Sequence, residues 1–248
     1  MGIGDMRRKP TLAALAADYR NGKIEDELRG DWAVVVFFRV WSFPLVWLFA
    51  RTAVSPSAIT AFSGLLVLML PASAGLLPLS VAGPAVVALS CAVLILDCVD
   101  GALARITARA SRFGGMLDFL VDMAHWGLLY ASIGLLADRV AGTGFFWTAL
   151  GCAAGWLRLY ARVVRDAGPA KAEATADAAA GISSGVLGGI SAGEVLVAFV
   201  AGLSGAIPLL LLAGWAFGSI GWLVVFLIAY AVTDVVDAGL QSFGRAAS

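Results

Sequence analysis

The sequence predicts an all-α, polytopic membrane protein with six transmembrane helices and an N-terminal interfacial amphipathic helix. Hydrophobic residues make up 60% of its 248 residues and only 14% are charged, which gives a mean hydropathy of +0.90. A soluble domain of this length would need a larger polar surface, so these values exclude that class. The three cysteines lie in apolar segments without a paired spacing, and we expect packing roles for them rather than disulfides.

Three segments are expected along the chain: an N-terminal cytoplasmic and interfacial segment at 1–54, a six-helix membrane domain at 55–240 and a cytoplasmic tail at 241–248. Residues 1–31 mix basic, acidic and alanine residues without an apolar core, so they do not predict a cleavable signal peptide. Two interpretations stay open for them, a helix lying on the cytoplasmic surface and a mobile tail.

The stretch 32–50 is apolar and aromatic, but Arg39 interrupts it and Pro44 would kink or break a helix. It could cross the bilayer. The arginine and the aromatic side chains at four-residue spacing favour instead an amphipathic helix that lies in the membrane interface.

Six apolar stretches follow, each close to the ~20 residues that cross the hydrocarbon layer. They are 57–77, 79–104, 115–137, 144–164, 193–215 and 218–236. With the N-terminus assigned to the cytoplasm, only Arg139 of the 17 lysines and arginines falls in an outside loop. This asymmetry predicts an integral membrane protein, expected in the cell inner membrane, with both termini on the cytoplasmic side.

Four aspartates stand out in this apolar sequence: Asp97, Asp100, Asp118 and Asp122. Their separations of three and four residues place each pair on one face of a helix. If a turn at 107–112 joins the two helices, the pairs face each other at one depth, the cytoplasmic boundary. Such close negative charges require a compensating cation, and all-oxygen ligands favour Mg²⁺ or Mn²⁺, with two ions balancing the charge.

The whole pattern from Asp97 to Asp122 reads Asp-x2-Asp-Gly-x2-Ala-Arg-x8-Gly-x3-Asp-x3-Asp. It resembles the signature of the CDP-alcohol phosphotransferase (CDP-alcohol phosphatidyltransferase) family, integral membrane enzymes of phospholipid synthesis. The resemblance implies that Asp97, Asp100 and Asp118 bind the metal, and that Asp122 is the catalytic base with a further metal contact. It also implies a homodimer.

The small and basic residues of the motif are expected to bind the nucleotide of the CDP-alcohol. They are Gly101, Ala104, Arg105 and Gly114. A glycine inside a helix costs ~1 kcal/mol relative to alanine, which favours close approach of a ligand at Gly101, with helix packing as the alternative. The segment 55–60 resembles the Pro-Asn-x-x-Thr start of the family's first membrane helix; serine replaces the asparagine, and Thr60 joins the nucleotide-binding set.

A second group of arginines is expected to bind a phosphate of the acceptor or of the lipid. These are Arg112, Arg158 and Arg162. Anchoring to anionic headgroups is the alternative. The acidic partner expected for the arginines near residue 160 is Glu194. His125, three residues beyond Asp122, is expected to form a hydrogen bond within the bundle rather than to act in catalysis.

The resemblance implies transfer of a phosphoalcohol group, most simply phosphatidyl, from a CDP-alcohol such as CDP-diacylglycerol to the hydroxyl of a small polar alcohol, with release of CMP. One alternative is headgroup transfer from a soluble CDP-choline or CDP-ethanolamine to a lipid alcohol. A cation-coupled transporter also places carboxylates in membrane helices, but it favours mid-membrane depth and internal repeats, which the sequence lacks. Membrane lipids are expected partners, and nucleic acid is not.

Overall fold

The computed structural model describes residues 32–167, 199–200 and 202–244, which are helical with short connections and contain no β-strand. Seven helices are described in these ranges: α1 Trp32–Phe49, α2 Pro56–Leu76, α3 Leu79–Ile106, α4 Arg112–Ala141, α5 Phe146–Ala167, α6 Ile207–Ala216 and α7 Ile220–Gly244. The predictions for 1–31, for Glu194 with the start of the fifth span, and for 245–248 lie outside the described residues.

Helix α1 covers the stretch for which the sequence predicts an interfacial helix. It is long and apolar enough to cross a membrane, and Trp41 and Val40 expose large apolar side chains. Arg39, on which the interfacial prediction depended, is only 7% exposed and donates a hydrogen bond to the Cys98 carbonyl of α3 at 3.3 Å. The prediction is not confirmed, because the arginine packs inward at the end of a π-helical segment, Val35–Arg39.

Five described helices are long and apolar enough to span a membrane: α1, α2, α3, α4 and the stretch Ile220–Leu240 of α7. This agrees with an integral membrane protein. The predicted spans at 144–164 and 193–215 are not among them. Helix α5 carries three arginines in its second half. The described part of the other segment, Leu203–Ala216, is a short 3-10 turn followed by α6 and is shorter than a span, and the start of the predicted span lies outside the described residues.

Serine caps fix the beginnings of two helices that lead to the carboxylates. The Ser55 hydroxyl accepts the backbone N–H of Ala58 at 3.2 Å, and Pro56 occupies the first helical position. Ser111 caps α4 in the same way, through the N–H of Gly114 at 3.0 Å. The turn predicted between the two aspartate pairs is confirmed, since α3 ends at Ile106 and α4 begins at Arg112.

Helices α4 and α5 pack closely because glycines face each other along their contact. A Cβ added at Gly134 would collide with the carbonyl of Trp147, and one at Gly151 would lie 2.5 Å from the carbonyl of Tyr130. Small residues let helix backbones approach in this way within membranes. Helix α4 also packs on α2, and α5 in turn packs on α7. Helix α4 therefore lies between α2 and the pair formed by α5 and α7.

Gly134→Ala is therefore expected to destabilise the protein by about 1–3 kcal/mol, since the new methyl group meets backbone atoms that cannot rotate away. Thermal unfolding in detergent measures the change. Gly239→Ala is the matched control: a Cβ there meets nothing within 4 Å, and alanine favours the helix by about 1 kcal/mol. Equal melting temperatures for the two variants would contradict the packing argument.

Two adjacent side chains fasten the C-terminal end of α4 to its neighbours. The buried carboxylate of Asp138 accepts the backbone N–H groups of Trp147 at 3.0 Å and Thr148 at 2.7 Å, at the start of α5. Arg139 donates to the carbonyl of Leu77, just after α2, at 2.8 Å. The end of α4 remote from Asp118 is thus joined to both α2 and α5.

Candidate metal and catalytic site

Helices α3 and α4 bring the predicted carboxylates together. One oxygen from each of Asp97, Asp100 and Asp118 can be chosen so that all three lie within 4.8 Å of one another. Asp100 is buried, Asp118 is half-buried and Asp97 is exposed. Asp122 is not a member of this group, although it lines the same cavity. The expectation that the pairs face each other is confirmed.

Helix α2 contributes a hydroxyl that holds one of these carboxylates. The Thr60 hydroxyl lies 2.5 Å from Oδ2 of Asp100, to which it donates a hydrogen bond, and both residues are buried. The same hydroxyl lies 3.2 Å from the carbonyl of Pro56. Thr60, predicted as a nucleotide-binding residue, therefore orients Asp100 in this structure.

The carboxylate of Asp122 accepts one hydrogen bond on each oxygen. The indole Nε1 of Trp126 donates to Oδ1 at 2.9 Å, and the guanidinium of Arg162 donates to Oδ2 at 3.1 Å. The Arg162 side chain is 43% exposed and that of Asp122 is 28% exposed. A carboxylate oxygen has room for more than one hydrogen bond, so Asp122 can also accept one from a substrate hydroxyl.

The carboxylates surround a cavity of about 20 Å³, which is large enough for one water molecule or one ion and far too small for a nucleotide. Its lining residues are Thr60, Ser63, Val93, Leu94, Asp97, Asp100, Asp118, Val121, Asp122 and His125. Ser63 is 2% exposed, and its hydroxyl has no hydrogen-bond partner among the residues that the structure describes. A buried hydroxyl of this kind is usually satisfied by water or an ion.

The donor set fits a hard divalent cation. All three clustered groups are carboxylates, which Mg²⁺ and Mn²⁺ prefer. In the part of the chain that the structure describes, no lysine or arginine forms an ion pair with Asp97, Asp100 or Asp118. Three neighbouring carboxylates that no described basic side chain contacts directly favour binding of a cation between them.

The small residues of the motif leave the face of α3 beside the carboxylates open. Within the described ranges, a Cβ at Gly101 would touch only the guanidinium of Arg105, at 3.5 Å, so no described helix requires a glycine there. Ala104 is half-buried on the same helix. Gly114 is more restricted, since a Cβ would lie 3.0 Å from the hydroxyls of Ser57 and Ser111. Arg105 and Arg112 are exposed.

Helix α7 supplies a carboxylate that the sequence analysis missed. Asp234 pairs with Arg158 at 2.6 Å and with Arg165 at 2.7 Å, and its side chain is 12% exposed. Asp234 is thus an acidic partner of two of these arginines, while the pairing expected for Glu194 lies outside the described residues and stays a prediction. The available signal was a pair of aspartates, Asp234 and Asp237, in a largely apolar helix, where such groups are normally paired.

His125 is placed as the sequence predicts. It is 1% exposed, and its Nε2 lies 2.7 Å from the hydroxyl of Ser90 on α3. The ring also lies 5.0 Å from that of Trp126. His125 lines the floor of the cavity, but its described hydrogen bond is to a serine and not to a carboxylate.

A family model described as CDP-alcohol phosphatidyltransferase matches residues 53–204, which is more than half of the chain. The matched range contains the four aspartates and the arginines of α5. No curated protein matches the sequence.

Proposed function

The chain belongs to the CDP-alcohol phosphatidyltransferase family, and we propose that it transfers a phosphatidyl group from CDP-diacylglycerol to the hydroxyl of a small polar alcohol. The family implies an enzyme that transfers a phosphoalcohol group from a CDP-alcohol. The three clustered carboxylates beside an open glycine-containing helix face carry the proposal for this chain.

In the proposed reaction, the oxygen of the acceptor hydroxyl attacks the phosphorus that bears the diacylglycerol. The bond from that phosphorus to the bridging oxygen breaks, and CMP leaves with the electron pair. Asp122 takes the hydroxyl proton, because its carboxylate borders the cavity while Trp126 and Arg162 hold its two oxygens.

Asp97, Asp100 and Asp118 would hold the one Mg²⁺ or Mn²⁺ for which the cavity has room. The second ion, proposed from the charge of the four carboxylates, would need Asp122 and space beyond this cavity. A divalent cation bound there supplies neutralisation of pyrophosphate charge and stabilisation of the leaving group. Thr60 keeps the Asp100 carboxylate turned toward its neighbours through the 2.5 Å hydrogen bond.

The nucleotide would lie over the open face of α3 at Gly101 and Ala104, outside the small cavity. Arg105 and Gly114 border this face from the end of α3 and the start of α4. An arginine there binds a phosphate with charge-assisted hydrogen bonds. This placement leaves the cavity itself to the ions and to the reacting oxygens.

The membrane arrangement that we propose keeps six spans in the domain at 55–240, with the active site on the cytoplasmic side of the inner membrane. The distribution of basic residues supports the orientation. Helix α5 would be the fourth span, since Asp234 compensates Arg158 and Arg165. The homodimer is proposed from the family resemblance.

The test is CMP release by the purified protein supplied with CDP-diacylglycerol, with and without Mg²⁺, across inositol phosphate, glycerol phosphate, serine and water as acceptors. We expect metal-dependent release with one of the alcohols. Release only from CDP-choline or CDP-ethanolamine with diacylglycerol would replace the proposal by headgroup transfer. Absence of release from every donor would refute the enzymatic assignment.

Two arginines of α5, Arg162 and Arg158, are expected to have different roles, which this assay can distinguish. Arg162 is half exposed beside Asp122, so Arg162→Gln is expected to raise KM for an anionic acceptor about 10-fold or more, through loss of a charged hydrogen bond to phosphate, with a smaller effect on KM for the donor. Arg112, at the exposed start of α4, is the other candidate for this contact.

Arg158→Gln is the comparison variant, because the Arg158 side chain is 15% exposed and pairs with Asp234. Its loss should lower the free energy of unfolding by about 1–3 kcal/mol, since Asp234 keeps only Arg165. A rise in acceptor KM with unchanged stability would instead make Arg158 the phosphate ligand.

A further inference from the structure

We propose that Trp126 is a positioning residue that holds the carboxylate of Asp122 in the orientation needed to take the acceptor proton, and that Arg158 and Asp234 support its ring from α5 and α7. The inference rests on the proposed function, in which Asp122 is the base. It adds a residue outside the aspartate motif to the catalytic arrangement.

The contact between Trp126 and Asp122 spans one turn of α4. The indole N–H donates to Oδ1 at 2.9 Å, and Trp126 is 9% exposed. An indole nitrogen is only a donor, and a buried one needs an acceptor. Because a charged acceptor makes this hydrogen bond strong, it restricts rotation of the carboxylate about its bond to Cβ.

The second donor to Asp122 is placed differently. Arg162 reaches Oδ2 at 3.1 Å, but its side chain is 43% exposed. Exposed ion pairs contribute little and exchange readily with other anions, including a substrate phosphate. The indole is therefore the donor that keeps Asp122 in place while Arg162 is engaged elsewhere.

A cluster of side chains from other helices holds the Trp126 ring. The guanidinium carbon of Arg158 lies 5.7 Å from the centre of that ring, within the range of a cation–π contact. Asp234 fixes Arg158 by an ion pair at 2.6 Å, and the Tyr230 ring lies 5.2 Å from the same guanidinium. The arrangement links α7 to the base through α5 and α4.

The first test is Trp126→Phe in the full-length protein, which removes the donor and keeps an aromatic ring. We expect kcat for CMP release to fall about 10- to 100-fold, the cost of misplacing a reacting group, with KM for the donor and the Mg²⁺ dependence unchanged. Trp222→Phe is the matched control, because Trp222 is 77% exposed on α7. An unchanged kcat in active Trp126→Phe protein would overturn the proposal.

The second test does not depend on turnover. In protein labelled with ¹⁵N at the indole nitrogens, the Trp126 resonance is the one that disappears in Trp126→Phe, or in Trp126→Tyr where the Phe variant does not fold. It should move in Asp122→Asn, which replaces a charged acceptor by a neutral one, and also in Asp234→Asn.

A Trp126 resonance that stays in place in Asp122→Asn would refute the contact. Inactive wild-type protein with every donor would refute the proposed reaction, whereas the resonance would still report whether Trp126 holds Asp122. Loss of kcat together with a parallel rise in donor KM would assign Trp126 to general packing and overturn the positioning role.

Discussion

Asp122→Asn is expected to lower kcat for CMP release about 10³-fold, within the range that a general base contributes. Asparagine has nearly the same shape, and its carbonyl oxygen can still accept the hydrogen bond from Trp126, whereas its NH2 group cannot accept the one from the half-exposed Arg162. It cannot take a proton from the acceptor. The measurement is single-turnover CMP release at saturating donor and acceptor.

Binding experiments distinguish loss of the base from loss of the site. Calorimetric titration should show that Asp122→Asn retains CDP-diacylglycerol and Mn²⁺ binding largely intact, because the clustered oxygens belong to Asp97, Asp100 and Asp118. Asp237→Asn is the control, as that aspartate of α7 is not among the cavity-lining residues. Normal turnover in Asp122→Asn would remove Asp122 as the base.

The second large effect concerns the metal. Asp97→Asn and Asp100→Asn are each expected to weaken Mn²⁺ binding by at least about 10- to 100-fold, the loss seen when even an outer-shell partner of a metal ligand is removed. Nucleotide binding should weaken in parallel, because the negative charges of a pyrophosphate and the carboxylates need the same cation.

Thermal unfolding provides a readout without substrate. Wild-type protein should gain about 2.7 kcal/mol of stability when the free Mg²⁺ concentration is 100 times its Kd, while Asp100→Asn, with binding weakened about 10- to 100-fold, should gain only about 0.4–1.4 kcal/mol. In the presence of a chelator, Asp100→Asn should be more stable than the wild type, since removing one of three neighbouring carboxylates relieves their repulsion. Equal Mg²⁺ stabilisation of wild type and variant would refute the ligand role of Asp100.

The carboxylate cluster could be predicted because its geometry is local. Separations of three and four residues place Asp97 beside Asp100 and Asp118 beside Asp122 on any helix, and one turn between the helices then brings the pairs together. The same rule places Trp126 above Asp122, four residues on. That contact was missed because nothing in the sequence marks an indole as the partner of a carboxylate.

Contacts between distant segments could not be predicted in the same way. The pairing of Arg158 with Asp234 joins residues 76 positions apart, and it depends on how α5 packs against α7. The inward direction of Arg39 depends on the π-helical segment Val35–Arg39 within α1. The structure's α5 is too polar for a span when its charged residues are counted alone, because such a count takes no account of Asp234 beside Arg158 and Arg165.

The C-terminal end of α4, remote from the carboxylates, is fixed to two neighbouring helices. Asp138 and Arg139 join it to α5 and to the end of α2, so a tilt about this attachment would move the opposite end of the helix most. Asp118 is 20 residues away, about 30 Å at a rise of ~1.5 Å per residue. A tilt of about 5° would therefore shift Asp118 by roughly 3 Å relative to Asp100, which is comparable to a metal–ligand distance. The spacing of the metal-binding carboxylates is therefore sensitive to the tilt of α4.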